Sequence, residues 1–311
     1  MILFNVLLLL LGFALILIGA EGFIRGGSGL AKYFHIPEFV IGATVVAFGT
    51  SLPELVTSTY AAFKGIPAIS LSNIVGSNVF NITLVLGLSA MVRPLLTRRD
   101  VFRRDAPTFL FAVVLLFLLG LDGSVSSFDG FLFLALFVSF LYWLLREKEE
   151  ADREFLEMAP SSKFKVFLYL ILGIVSLWLG SKMAVDNAVV IARELGVSEW
   201  IIGATVVAAG TSLPEFATSF VAFLRGRGAL AVGNVIGSNV INILLVIGVA
   251  SVIIPLPVSR DVLLFDFPFL FFISLILIFM INDKELSRES GFSLFVAYIS
   301  YVFMLIKLHR G

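Results

Sequence analysis

Glu54 lies in an apolar run beside a proline and two adjacent hydroxyls, in the stretch Gly42-Ala-Thr-Val-Val-Ala-Phe-Gly-Thr-Ser-Leu-Pro-Glu-Leu-Val-Thr-Ser58. On a helix Thr50 and Glu54 are four apart, and Ser51, Glu54 and Ser58 are spaced by three and four, so all can present oxygen to one face. Further on, Asn73, Ser77 and Asn81 recur at intervals of four, with Gly76 among them to allow close approach of a neighbouring helix. One anionic oxygen amid several neutral ones suits a hard cation. Calcium takes roughly six to eight oxygens at about 2.3–2.6 Å in flexible geometry. Carboxylate, carbonyl and hydroxyl oxygens also suit sodium, whereas the sulfur and imidazole that favour zinc or copper are missing from both stretches.

The same residues occur a second time. Gly203-Ala-Thr-Val-Val-Ala-Ala-Gly-Thr-Ser-Leu-Pro-Glu-Phe-Ala-Thr-Ser219 matches the first stretch at an offset of 161, which is 215 minus 54. The offset continues without a gap, so that Asn73-Ile-Val-Gly-Ser-Asn-Val-Phe-Asn81 pairs with Asn234-Val-Ile-Gly-Ser-Asn-Val-Ile-Asn242. Gly12 and Gly19 find Gly173 and Gly180 at the same spacing. The chain is a duplication. If its halves meet about a pseudo-twofold axis, Glu54 and Glu215 converge among Thr50, Ser51, Ser77, Asn81, Thr211, Ser212, Ser238 and Asn242.

The elements that must position these groups lie in a membrane. The chain is 59% hydrophobic and 14% charged with a mean hydropathy of +1.05, which excludes an ordinary soluble domain and indicates a polytopic membrane protein. Residues 36–63 are long enough to cross a bilayer and place Glu54 near its middle. A charge there costs about 3 kcal/mol or more and is retained for function. Pro53 has no amide to donate, and its ring clashes with the carbonyl of Gly49, so the helix is expected to break between Gly49 and Pro53. Such a break leaves carbonyls free, which in a membrane is tolerated only where the backbone lines a cavity or a site.

Apolar runs divide the chain into ten spans: residues 2–23, 38–63, 69–92, 107–121, 128–145, 164–184, 200–224, 229–254, 263–281 and 292–308. The first reads as an uncleaved span, since it has neither a basic leading region nor a small-residue cleavage site. Five spans per half is an odd number, so the second half enters from the opposite side and the halves form an inverted repeat. The expectation is an all-α membrane protein forming one transmembrane domain: residues 1–145, a cytoplasmic linker at 146–163, and residues 164–311. With an external N-terminus, 16 of the 22 lysines and arginines fall in internal loops, which places both termini outside the cell membrane. The mixed-charge run from Glu147 to Glu154 reads as a solvated face.

Some groups have a plainer reading. His35 and His309 are interfacial residues at the ends of apolar runs. Asn78 and Asn239, and Thr57 and Thr218, serve equally as polar glue between helices or as part of a site. Gly42, Gly76, Gly203 and Gly237 read as packing positions. Net charge is zero and cysteine is absent, so neither nucleic acid binding nor thiolate chemistry is indicated.

GTSLPE followed by GSNxxN, twice in inverted halves, resembles the alpha-repeats of sodium/calcium exchangers in the cation/calcium exchanger superfamily. The resemblance implies alternating access, with the first and sixth spans sliding across a core of the other eight. It implies a central site on Glu54 and Glu215, with Asn81, Thr50, Ser51, Ser77, Thr211, Ser212 and Ser238 as further ligands and the carbonyls of Ala47 and Ala208 completing the sodium positions. Calcium and sodium are then cargo, no cofactor is needed, and the bilayer is the only other partner implied. There is one departure. Many exchangers carry an aspartate where this chain has Asn242, so two acids stand here in place of three, and the ion stoichiometry is at issue.

A proton/calcium antiporter is the alternative within the transporter class, since two buried glutamates can exchange protons for calcium. Its relatives carry GNA-x-E-type motifs, which this chain lacks. An intramembrane hydrolase needs a nucleophile with its own base, and neither half offers a histidine, a cysteine or a second nearby acid for that role. A passive channel fits a duplicated pair of broken helices less well than alternating access does.

Overall fold

A computed structural model describes residues 2–34, 36–96, 99–145, 162–196, 208–282 and 285–308. The expected linker at 146–163 lies outside these apart from its last two residues, as do His35, His309 and the first part of the seventh span, Gly203 included. In chain order the helices are α1 (Ile2–Phe34), α2 (Phe39–Thr50), α3 (Leu52–Phe63), α4 (Pro67–Val92), α5 (Arg99–Leu119), α6 (Ser127–Leu145) and α7 (Lys163–Glu194). They continue with α8 (Ala208–Thr211), α9 (Leu213–Leu224), α10 (Gly228–Ile253), α11 (Val262–Met280) and α12 (Arg288–Leu308). Among the described residues seven helices are long and apolar enough to cross a membrane, and the bent pair α2–α3 makes an eighth. Two shorter apolar helices, Ala106–Asp122 and Leu213–Leu224, fall at the fourth and seventh positions read from the sequence. The protein is an all-helical membrane protein, and its helices satisfy their own backbone amides where no water can.

α4 and α10 form the centre and are mostly buried, while α1 and α12 expose most of their surface. α1 is longer than the span read from hydropathy, continuing from Phe23 to Phe34 through Arg25 and three glycines. Packing overrides their low helix propensity. A methyl group on Gly26 would lie 2.6 Å from Leu170 Cγ, and one on Gly29 would collide with Val166, so both glycines are covered by α7. The two helices cross as antiparallel rods with backbone against backbone. A methyl on Gly12 would meet Ala184 N at 2.8 Å and Gly180 O at 2.9 Å, and one on Gly19 would meet Leu177 N at 2.7 Å. Gly12, Gly19, Gly173 and Gly180 therefore face the partner helix and not the core. They join α1 and α7 to each other.

Contacts between the halves are reciprocal under the offset of 161. Strand β1 (Leu95–Leu96) pairs antiparallel with β4 (Glu285–Leu286), and β2 (Ser124–Val125) with β3 (Leu256–Pro257). Adding 161 to Leu95 and subtracting it from Leu286 turns the register pair Leu95–Leu286 into Leu256–Val125, which is the register observed in the other ladder. A methyl on Gly87 would lie 3.0 Å from Gly291 O, and one on Gly130 would lie 2.8 Å from Gly248 O, again an exchanged pair.

The packing of α1 and α7 is not reciprocal. α1 packs along α9, where Glu21 bridges Arg25 at 3.0 Å and Arg225 at 3.1 Å. The equivalents of Glu21 and Arg225 are Lys182 and Lys64, two like charges, and α7 makes no comparable run of contacts along α3.

Candidate cation site

The helix breaks where the prolines require it. Ser51 (φ −82°, ψ 6°) and Ser212 (φ −89°, ψ 6°) leave the helical region between α2 and α3 and between α8 and α9. Pro53 and Pro214 then fall in the first turn of the next helix, where a missing N–H costs nothing. The chain bends by 46° between α2 and α3. Glu54 and Glu215 consequently stand in the first turn of α3 and α9, where the positive end of the helix dipole favours an anion.

Both carboxylates are fully buried, and each is held by the opposite half. Ser51 Oγ donates to Glu215 Oε1 at 2.9 Å, and Ser212 Oγ donates to Glu54 Oε1 at 3.1 Å. The serine placed beside each glutamate by the sequence thus serves the other glutamate. The threonines behave alike: Thr50 Oγ1 donates to Asn234 Oδ1 at 3.1 Å, and Thr211 Oγ1 to Asn73 Oδ1 at 3.3 Å. Asn73 and Asn234 also donate from Nδ2, to Ser58 Oγ at 3.1 Å and Ser219 Oγ at 2.8 Å. Their amides are occupied at both ends, so they staple the broken helices to α4 and α10.

Other oxygens have no partner. Among the described residues nine buried side-chain oxygens have no hydrogen-bond partner: Glu54 Oε2, Glu215 Oε2, Ser77 Oγ, Asn81 Oδ1 and Asn242 Oδ1, and the hydroxyls of Thr59, Ser89, Ser181 and Thr218. A buried polar atom left unpaired costs about 1–3 kcal/mol, more when it is charged. The first five belong to residues read from the sequence as ligands and are the kind of oxygen a hard cation takes. Ser238 Oγ lies 3.4 Å from Thr50 Oγ1. Among the described residues no group of three or more Asp, Glu, His or Cys gathers, so the set consists of two acids and neutral oxygens.

The carbonyl of Ala47 differs from expectation. It accepts the Ser51 amide at 3.0 Å and lies 3.2 Å from Thr50 Oγ1, whose one proton it shares with Asn234 Oδ1, so the break does not free it. Pro53 deprives Gly49, four residues back, and leaves Ala47 with its ordinary helical donor. Ala208 opens α8.

The surroundings differ on the two sides. Thr50 and Asn234 are completely buried, whereas their equivalents Thr211 and Asn73 are partly exposed. Sequence reasoning left Asn78 and Asn239 undecided. They bridge the two halves through Asn81 and Asn242, and the repeated GSN was the only signal for them.

Comparison with known proteins gives the family and the fold. The family model described as "Sodium/calcium exchanger protein" matches residues 4–146 and again residues 165–307. An uncharacterized membrane protein of Methanocaldococcus jannaschii is 37% identical, with 97% of both chains covered. The sodium/calcium exchanger MaX1 of Methanosarcina acetivorans is 33% identical over 98% of this chain and 99% of its own. A solved structure of the sodium-calcium exchanger NCX_Mj, soaked with zero Na+ and Ca2+, superposes with a TM-score of 0.85 at 35% identity, covering 98% of this chain and 100% of that one.

Proposed function

The chain belongs to the sodium/calcium exchanger protein family, and on that premise we propose that it exchanges calcium for sodium across the cell membrane by alternating access, through one site centred on Glu54 and Glu215. The observation that carries the site is the set of five buried, unpartnered oxygens on Glu54, Glu215, Ser77, Asn81 and Asn242. Thr50, Thr211 and Ser238 add hydroxyl oxygens, the carbonyl of Ala208 is a further ligand, and that of Ala47 becomes one when the Thr50 hydroxyl turns away from it. Ser51 and Ser212 hold the carboxylates in place and can turn a lone pair to sodium. The ions are cargo, and the family's members are exchangers rather than enzymes.

Ten spans arranged as two inverted repeats, 1–145 and 164–311, are the architecture we assign. Two separate matches of one family model and the exchanged ladders support it. Alternating access draws support from the unequal packing of α1 and α7 against the opposite halves. With α1 against α9 and α7 away from α3, the joined pair α1–α7 occupies one of two positions related by the pseudo-twofold axis. Shifting the pair would bring α7 onto α3 and expose the site from the other side.

The test is calcium-45 uptake into proteoliposomes of the purified protein. An outward sodium gradient is expected to drive uptake, and a proton gradient without sodium is not. Uptake driven by protons alone would replace this reading with proton/calcium exchange. Orientation has its own test, because the chain has no cysteine. A membrane-impermeant thiol reagent applied to intact cells is expected to label Lys64→Cys and spare Phe155→Cys. Labelling of Phe155→Cys from outside would overturn the assignment of both termini to the exterior.

A further inference from the structure

The four asparagines of the repeated GSNxxN motifs form a closed set of hydrogen bonds. Asn78 Nδ2 donates to the backbone carbonyl of Asn239 at 3.3 Å, and Asn239 Nδ2 donates to the carbonyl of Asn78 at 3.5 Å. A carbonyl can only accept, so these contacts decide which way each of the two amides faces. With Nδ2 turned to the backbone, Asn239 presents Oδ1 to Asn81 and Asn78 presents Oδ1 to Asn242. Those oxygens accept from Asn81 Nδ2 at 3.1 Å and from Asn242 Nδ2 at 3.0 Å. What remains of the outer two amides is Asn81 Oδ1 and Asn242 Oδ1, both buried and both without a partner.

We propose that Asn78 and Asn239 are positioning residues of the ion site: each fixes the amide of the opposite half's site asparagine so that oxygen, and never NH2, faces the ion. The proposal rests on the reading of this place as a cation site. The orientation is inherited step by step from two backbone carbonyls, which cannot rotate or change protonation. An amide free to flip would turn a donor toward a cation half of the time, and hydrogen-bond networks are what remove that freedom.

The same chain of contacts explains why asparagine at position 242 works here. A carboxylate at that position could not donate to Asn78 Oδ1 and would set acceptor against acceptor. Conversely, a carboxylate presents oxygen whichever way it turns and needs no partner to orient it. Positions 78 and 242 are therefore coupled, which a double-mutant cycle measures directly.

The experiment reads the calcium concentration giving half-maximal sodium-driven uptake for wild type, Asn78→Leu, Asn242→Asp and the double variant. Asn78→Leu removes the acceptor and is expected to raise that concentration about tenfold, equivalent to roughly 1.4 kcal/mol. Adding Asn242→Asp to Asn78→Leu is expected to recover most of the loss, while Asn242→Asp in the wild-type background, where the carboxylate faces Asn78 Oδ1, is expected to raise the half-maximal concentration. A purely structural role for Asn78 would lower the amount of folded protein or the maximal rate without this dependence on residue 242. An unchanged half-maximal concentration in Asn78→Leu, or an equal shift from Asn242→Asp in both backgrounds, would overturn the proposal. If Asn78→Leu does not fold, Asn239→Leu with Asn81→Asp tests the same contact from the other half. Failure of the site reading itself shows separately, as undiminished uptake in Glu54→Gln.

Discussion

Glu54→Gln and Glu215→Gln are each expected to stop sodium-driven calcium uptake while the protein still folds and purifies as a single species. Glutamine keeps the Oε1 that accepts from Ser212 or Ser51, so the hydrogen bond between the halves survives. The change falls on Oε2, which is buried and unpartnered in both residues. There the substitution replaces an anionic oxygen by an NH2 donor pointing where the ion would bind. Half of the formal charge that balances a divalent ion disappears with it. Losing one member of a buried charge pairing costs about 3–5 kcal/mol, or more than roughly a hundredfold in affinity. Calcium-45 uptake below a hundredth of wild type, with an unaltered gel-filtration profile, is the expected measurement. Uptake near the wild-type rate in either variant would remove that glutamate from the site.

The second large effect concerns the joint between α1 and α7. A methyl on Gly19 would already lie 2.7 Å from Leu177 N and 2.9 Å from Gly173 O, atoms of a helix backbone that cannot rotate aside. A methyl on Gly180 would lie 2.8 Å from Gly12 O and from Ile16 N. Gly19→Leu and Gly180→Leu must therefore drive the two rods apart. Forcing extra carbons into a packed contact costs about 1–3 kcal/mol or more. The site residues lie on other helices, so equilibrium calcium binding should change less than about threefold, while the exchange rate falls at least about tenfold. Isothermal titration and uptake on the same preparation separate the two. If binding falls as far as transport, the joint supports the site statically and is not part of a moving unit.

The legible parts of this molecule were those that repeat. The offset of 161, the broken helices at Ser51 and Ser212, and the gathering of Glu54 with Glu215 all follow from the sequence, because proline and an intramembrane acid each have few physical solutions. Direction was harder to read. Spacing places Ser51 beside Glu54 and cannot say that its hydroxyl serves Glu215, since that depends on how the halves dock. The same limit applies to the glycines of α1 and α7, whose residue type announces close packing without naming the partner. Hydropathy stopped α1 at Phe23 because Arg25 and the following glycines look like a helix end. In the fold those glycines are covered by Leu170 and Val166.

The exchanged ladders also bear on how the chain assembles. β1 waits for β4, which is 191 residues further on, and β2 waits for β3, 133 residues further on. Neither half contains both strands of either ladder, so a half emerging from synthesis alone has two open rims and an acid without its serine. Contacts this remote in sequence form late. The first half must therefore persist in the bilayer as an incomplete object until nearly the whole of the second has been inserted. Made as two separate polypeptides divided between residues 146 and 161, the halves would be obligate partners, each supplying the edges, the hydroxyl and the amide that the other lacks.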